Sequence, residues 1–137
     1  MNIPMAFLAD EANISQEGKL NVMGIFDRIV AEELPVSHPR MVFAFRVTAE
    51  FSDGGRSFPV QVRLVDEDGA VMFDASGEIN PPLLPPGEFS TANQVFTLVG
   101  MQFPRAGQYR FEVRIGTLDP HITPFVVGTP PRDSALN

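Results

Sequence analysis

The chain has 137 residues and a mass of 15.0 kDa, with ten basic and seventeen acidic residues, a net charge of −7, twelve phenylalanines, one tyrosine, no tryptophan and no cysteine. This length suits one domain around one sizeable core, and the missing cysteine excludes disulfide scaffolds, thiolate nucleophiles and cysteine-ligated zinc. At a pI near 4.7 and with no run of Lys or Arg, the chain repels polyanions, so nucleic acid is not an expected partner.

The first ten residues, Met1 to Asp10, lack a basic leader, and acids interrupt their apolar stretch too early for a signal peptide or membrane anchor. The expectation is a cytoplasmic protein without membrane contact. Ile3 to Ala9 and Leu20 to Ala31 read as strands on either side of a turn at Glu17-Gly18, and Gly24 suggests a bulge or a close packing contact. From Met41 to Phe51 the apolar residues recur with period two: Met41, Phe43, Phe45, Val47, Ala49 and Phe51 alternate against Arg46, Thr48 and Glu50. That is the pattern of a strand with one face buried. Phe58 to Leu64 and Tyr109 to Ile115 obey the same rule, and Val71 to Ala75, Gln94 to Phe103 and Ile122 to Val127 complete about eight strands. The phenylalanines fall mostly on the inward phase and read as core.

Turn chemistry separates the runs at Ser52-Asp53-Gly54-Gly55, Asp68-Gly69 and Pro104-Arg105-Ala106-Gly107. With Asp68-Gly69 at the centre of a two-residue type I′ turn, Leu64 faces Phe73 and Arg63 faces Asp74. The same register puts Val65 and Met72 together on the outward face, which marks a contact surface. Pro124 inside the last run predicts an edge or bulge there. No segment carries a helical stripe. Short antiparallel strands with regular turns predict an immunoglobulin-like β-sandwich with Greek-key connections over residues 1–128, followed by a flexible tail at 129–137. Tyr109, two residues past Gly107, fits a tyrosine corner as well as it fits an ordinary core aromatic.

The acidic turn Asp66-Glu67-Asp68, with Asp10-Glu11, Asp53 and Asp119 elsewhere in loops, is the candidate for a metal site, since calcium takes six to eight oxygen ligands; acids at a hairpin apex also serve simply as solvated turn formers. His38 and His121 sit beside prolines and read as loop or strand-edge residues. No nucleophile elbow, zinc-binding helix, phosphate loop or dinucleotide fingerprint is present. The chain is therefore expected to be non-catalytic and to need no cofactor. The loop from Ile79 to Glu88 holds four prolines around Leu83 and Leu84, and reads either as a stiff crossover with both leucines folded over the core or as an adhesive tip. Val95 to Met101 is apolar on both phases, which predicts cover on both faces, from within the chain or from another molecule. Val65, Met72, Phe96, Leu98, Leu83 and Leu84 form the candidate interaction surface, for a homo-oligomer or a protein partner. The competing reading is a metal- or small-molecule-binding protein, or a hydrolase, that uses the loop carboxylates. A calcium-dependent rise in melting temperature, reversed by chelator, distinguishes the two.

The segment Ala6-Phe7-Leu8-Ala9-Asp10-Glu11-Ala12, followed by Gly18-Lys19-Leu20 and Gly24-Ile25-Phe26, resembles the opening of a family of small bacterial proteins known only as a domain of unknown function. The resemblance extends to about Val127. It implies a stand-alone immunoglobulin-like sandwich in a bacterial cytoplasm and brings no activity, cofactor or catalytic residue.

Overall fold

A computed structural model describes residues 1–129; apart from Thr129, the tail expected at 129–137 lies outside the described residues. Among the described residues nine strands are present: β1 (Asn2–Ile14), β2 (Leu20–Phe26), β3 (Arg28–Val30), β4 (Val36–Glu50), β5 (Phe58–Asp66), β6 (Val71–Ile79), β7 (Phe89–Phe103), β8 (Gly107–Ile115) and β9 (His121–Gly128). They form a four-stranded sheet in the order β2-β1-β4-β7 and a five-stranded sheet in the order β3-β9-β8-β5-β6. All pairings are antiparallel except β3 with β9, which is parallel. The expectation of about eight antiparallel strands is thereby corrected. The run read as one strand from Leu20 to Ala31 is two strands in different sheets, and the chain changes sheet at Asp27, whose carbonyl accepts a hydrogen bond from Val126 N at 3.0 Å. Pro124 lies on β9 outside the stretch that β3 covers, so its missing N–H costs no pairing with β3.

The two sheets meet through the inward phase of β4 and β8. Phe43 and Phe111 stack at a centroid separation of 4.2 Å, and both are fully buried. Phe103, Tyr109 and Phe125 make a second aromatic group beside them, and the Tyr109 hydroxyl donates to the carbonyl of Arg105 at 2.6 Å.

Alternation on β4 is only half of its burial. Val42 and Ala44, on the phase facing away from the core, are as buried as Met41 and Phe43, and with Ala12 they form a separate apolar cluster against Phe7, Leu20, Val22 and Val95. The cover is the far half of the β1–β2 hairpin. Its pairing with β4 ends at Ala9 opposite Val42, and its tip reaches across to β7, where Asn93 Nδ2 donates to Gly18 O at 3.0 Å. The turn-back occurs where Gly24 adopts a φ of +73° opposite Asp10, between the pairs Ala9–Ile25 and Glu11–Met23. A Cβ at Gly24 would fall 2.5 Å from the Asp10 carboxylate oxygen, so the close packing contact expected at this glycine is met, while the β1–β2 register runs through it without a bulge. Gly24→Ala is expected to cost about 1–3 kcal/mol in chemical denaturation. Adding Asp10→Ala should recover only the clash, not the backbone penalty.

Candidate functional site

The acidic turn is used by its own fold. The turn is one residue longer than predicted: Asp66 N donates to Ala70 O and Gly69 N to Asp66 O, both at 3.1 Å, with Gly69 left-handed at φ +84°. This is a three-residue hairpin loop, and a bulge opposite Leu64 and Val65 restores the register, so Leu64–Phe73 and Arg63–Asp74 pair as expected. Val65 instead pairs with Val71 and is buried, while Met72 packs against the core. The outward Val65–Met72 pair is therefore corrected: Met72 is the extra residue of the bulge and packs inward, while Val65 keeps the outward phase beside Arg110 and is covered there.

Asp66 accepts hydrogen bonds from Asp68 N at 2.9 Å and Ala70 N at 2.8 Å, and its second oxygen lies 3.2 Å from Arg105 Nη2. Arg105 also reaches Asp68 Oδ2 at 2.9 Å. Glu67 Oε1 accepts from Gln108 N at 2.8 Å. The three acids thus clasp the loop before β8, the loop whose Arg105 carbonyl the Tyr109 hydroxyl holds. The hydrogen bond from Ala70 N, helped by that from Asp68 N and by Arg105, holds the Asp66 carboxyl below its usual value of 3.8. A carboxyl with a depressed folded-state pKa contributes stability above its unfolded value and loses it as pH falls through the folded one. The wild type should lose melting temperature below about pH 4, and Asp66→Asn should flatten that loss while lowering stability at pH 7; melting curves from pH 7 to 2 check this.

Asp10 belongs to the other sheet, and β1 runs past it to Ile14. Among the described residues, no group of three or more His, Asp or Glu side chains is placed to hold a metal ion. His38 lies on β4 beside the Phe26 ring at 5.9 Å, and His121 opens β9. The buried carboxylate among the loop acids is Asp53. Asp53, in the 3₁₀ turn after β4, accepts from Glu50 N at 2.8 Å and pairs with the Met1 amino group at 3.1 Å. The Glu50 hydrogen bond, ahead of the amino group, holds its carboxyl below the usual range.

Of the candidate contact residues, Leu98 is core and Phe96 is half-buried against Phe45 and Phe73. Leu84 is half-buried, and Leu83 is 82% exposed. Leu83 does not stand alone. Gly55 N donates to Pro81 O at 3.0 Å, and a Cβ at Gly54 would sit 2.8 Å from Pro82 O, so the proline loop is seated directly on the Gly54-Gly55 turn. That turn begins at Phe51, which is 52% exposed, and Glu50 beside it pairs with Phe89, which is 67% exposed. Two phenylalanines read as core therefore join Leu83 in an apolar surface at one end of the molecule. Phe51 falls beyond the last residue of β4, and Phe89 lies on the outward phase of β7.

From this end an open seam runs between β6 and β7, the terminal strands of the two sheets. It holds a cleft of about 220 Å³ with a floor of Phe45, Val60, Val62, Ile79 and Phe96 and with Glu78 as its charged group. No helix of the described residues is long and apolar enough to cross a membrane.

Fold and surface together define an all-β domain of two packed sheets with Phe51, Leu83 and Phe89 exposed at one end and an apolar cleft open along one seam, while Met23, Ile25 and Val30 are exposed elsewhere. The chain belongs to a family of unknown function, DUF6941, whose model matches residues 4–128. None of the curated proteins compared with the chain matches it.

Proposed function

We propose that the chain is a non-catalytic interaction module with an immunoglobulin-like sandwich fold, working in a bacterial cytoplasm and binding a protein partner or its own copy. The fold reading is supported by the parallel β3–β9 pair closing the β9-β8-β5-β6 sheet, by β1, β4 and β7 in the facing sheet, and by the Tyr109–Arg105 hydrogen bond at the start of β8. The bacterial cytoplasm follows from the sequence resemblance.

The observation that carries the interaction reading is the surface of Phe51, Leu83 and Phe89. Three bulky apolar side chains more than half exposed at one end mark a contact site more readily than scattered single ones do. The loop beneath Leu83 is stiffened by four prolines and by its seat on Gly54-Gly55, so little conformational freedom is lost when it is covered. The loop carboxylates are engaged by Arg105 and by backbone N–H groups, which leaves the metal-binding alternative without a supporting feature.

The test is capture from a lysate of the source cells by the wild type, by Phe51→Ser/Leu83→Ser and by a charge-matched control. One protein recovered near stoichiometrically by the wild type and lost by the double variant is expected. Equal recovery by all three would overturn the reading.

A further inference from the structure

We infer that the free edge of β7, which leads from Phe89, is occupied by a second copy of the chain in an antiparallel pair whose two-fold axis passes through Gln94. The inference rests on the reading of the chain as an interaction module.

The four terminal strands differ in how well they are protected against such pairing. β3 has three residues, β2 is interrupted by the left-handed Gly24, and β6 carries Asp74 and Glu78. β7 is 15 residues long, is paired on one side only and contains neither a charged residue nor a proline. Charges and prolines are the usual devices that keep an edge strand single, and here they are missing from the longest edge. Charge also favours a second copy at this place. Two chains of net charge −7 repel each other over most of their surfaces, and an uncharged strand lets their backbones approach without setting acid against acid.

The register follows from what is exposed. Phe89, Thr91, Asn93, Val95, Thr97 and Val99 share the face of β7 that points away from the core, opposite Glu50, Thr48, Arg46, Ala44, Val42 and Arg40 of β4. The two large apolar side chains left open on this face are Phe89 and Val99, the latter 77% exposed. They are equidistant from Gln94. Antiparallel pairing about Gln94 sets Phe89 of one copy against Val99 of the other at both ends of the contact, and Thr91 against Thr97 between them. Cross-strand neighbours of this kind are what stabilise a strand pair. Beyond Val99, Gly100 at φ +67° bends the strand and ends the regular stretch. The same rotation turns the open cleft between β6 and β7 of each copy toward that of the other, which removes its apolar floor from water.

The test is light scattering after gel filtration across micromolar concentrations, using the whole chain. The wild type is expected to move from 15.0 kDa toward twice that mass. Thr91→Lys/Thr97→Lys and Thr91→Glu/Thr97→Glu should each remain at 15.0 kDa with unchanged circular dichroism, and their mixture should regain the doubled mass, because opposite charges then face each other. As a second measurement, Gln94→Cys in this cysteine-free chain should oxidise to a covalent dimer. Thr91→Cys, whose own copy lies about 20 Å away along the pair, should not. A wild type that stays at 15.0 kDa throughout overturns the inference, and so does a dimer that is indifferent to the charges or that crosslinks equally at both positions. If that monomer still captures a different protein through Phe51 and Leu83, the second copy is excluded while the interaction reading stands.

Discussion

Phe43→Ala is expected to destabilise the fold by about 3–5 kcal/mol, the largest effect of any single truncation considered. Phe43 is fully buried, stacks on Phe111 of the opposite sheet with ring centroids 4.2 Å apart and lies beside Phe45 with centroids 5.7 Å apart, so its removal opens a cavity at the contact between the two sheets. Domains of this size have about 5–15 kcal/mol in total, and a loss of this order brings many of them close to unfolding at 37 °C. Phe89→Ala, at an exposed position, should change stability by less than about 0.5 kcal/mol. Urea unfolding of the two variants at a concentration that keeps the chain monomeric gives the comparison directly.

Ala44→Asp is expected to be nearly as severe, at about 3 kcal/mol or more, although it lies on the face of β4 that points away from the core. Ala44 is fully buried there beneath the β1–β2 hairpin, between Val42, Ala12 and Val95, and a carboxylate at that place has no partner. The chain has a way to relieve it, which is to lift the hairpin tip off the sheet. Amide exchange of residues 10–24 should therefore accelerate in Ala44→Asp far more than exchange in β8 and β9. Ser37→Asp, on the same strand but exposed, should leave both stability and the hairpin unchanged. Equal effects at the two positions would show that the hairpin does not cover this face.

What the sequence made legible follows from where two-residue periodicity rules. β4, β5 and β8 have one face on the core, and their alternation shows it. The Leu64–Phe73 and Arg63–Asp74 pairs are legible too, but the third loop residue and the compensating bulge at Met72 leave no mark in the sequence. That bulge is why Met72 turns inward and Val65 faces Val71 instead of Met72. The division of β2 from β3 at Asp27 leaves no local trace, because it is decided by which sheet offers the free edge. The folded-over hairpin had a signal, five successive apolar residues from Met41 to Phe45 where alternation fails, and Val95 to Met101 repeats it on the neighbouring strand. Such a run says that a second cover exists but not which segment supplies it.

The candidate surface divides in the same way. Leu83 was legible from its place in a proline-rich loop. Phe51 and Phe89 were not, because apolar residues at strand ends look like core until the end of the strand is known. The role of Arg105 was equally hidden. Only the pairing of β5 with β8, which sets Asp66 opposite Tyr109, brings its loop onto the acidic turn and turns three candidate metal ligands into partners for one arginine and the backbone.

The central claim is that this chain acts through an exposed apolar end and the strand edge that leads from it, and amide hydrogen exchange tests it most directly. Exchange should be followed in the dilute chain and again in its associated form, whether that is the chain at high concentration or the chain with its captured partner. Slower exchange confined to residues 50–55, 83–84 and 89–99 is the result expected here. Unchanged exchange in those segments, with protection appearing instead at 66–69 and 104–108, would place the contact at the Arg105 clasp and contradict the account.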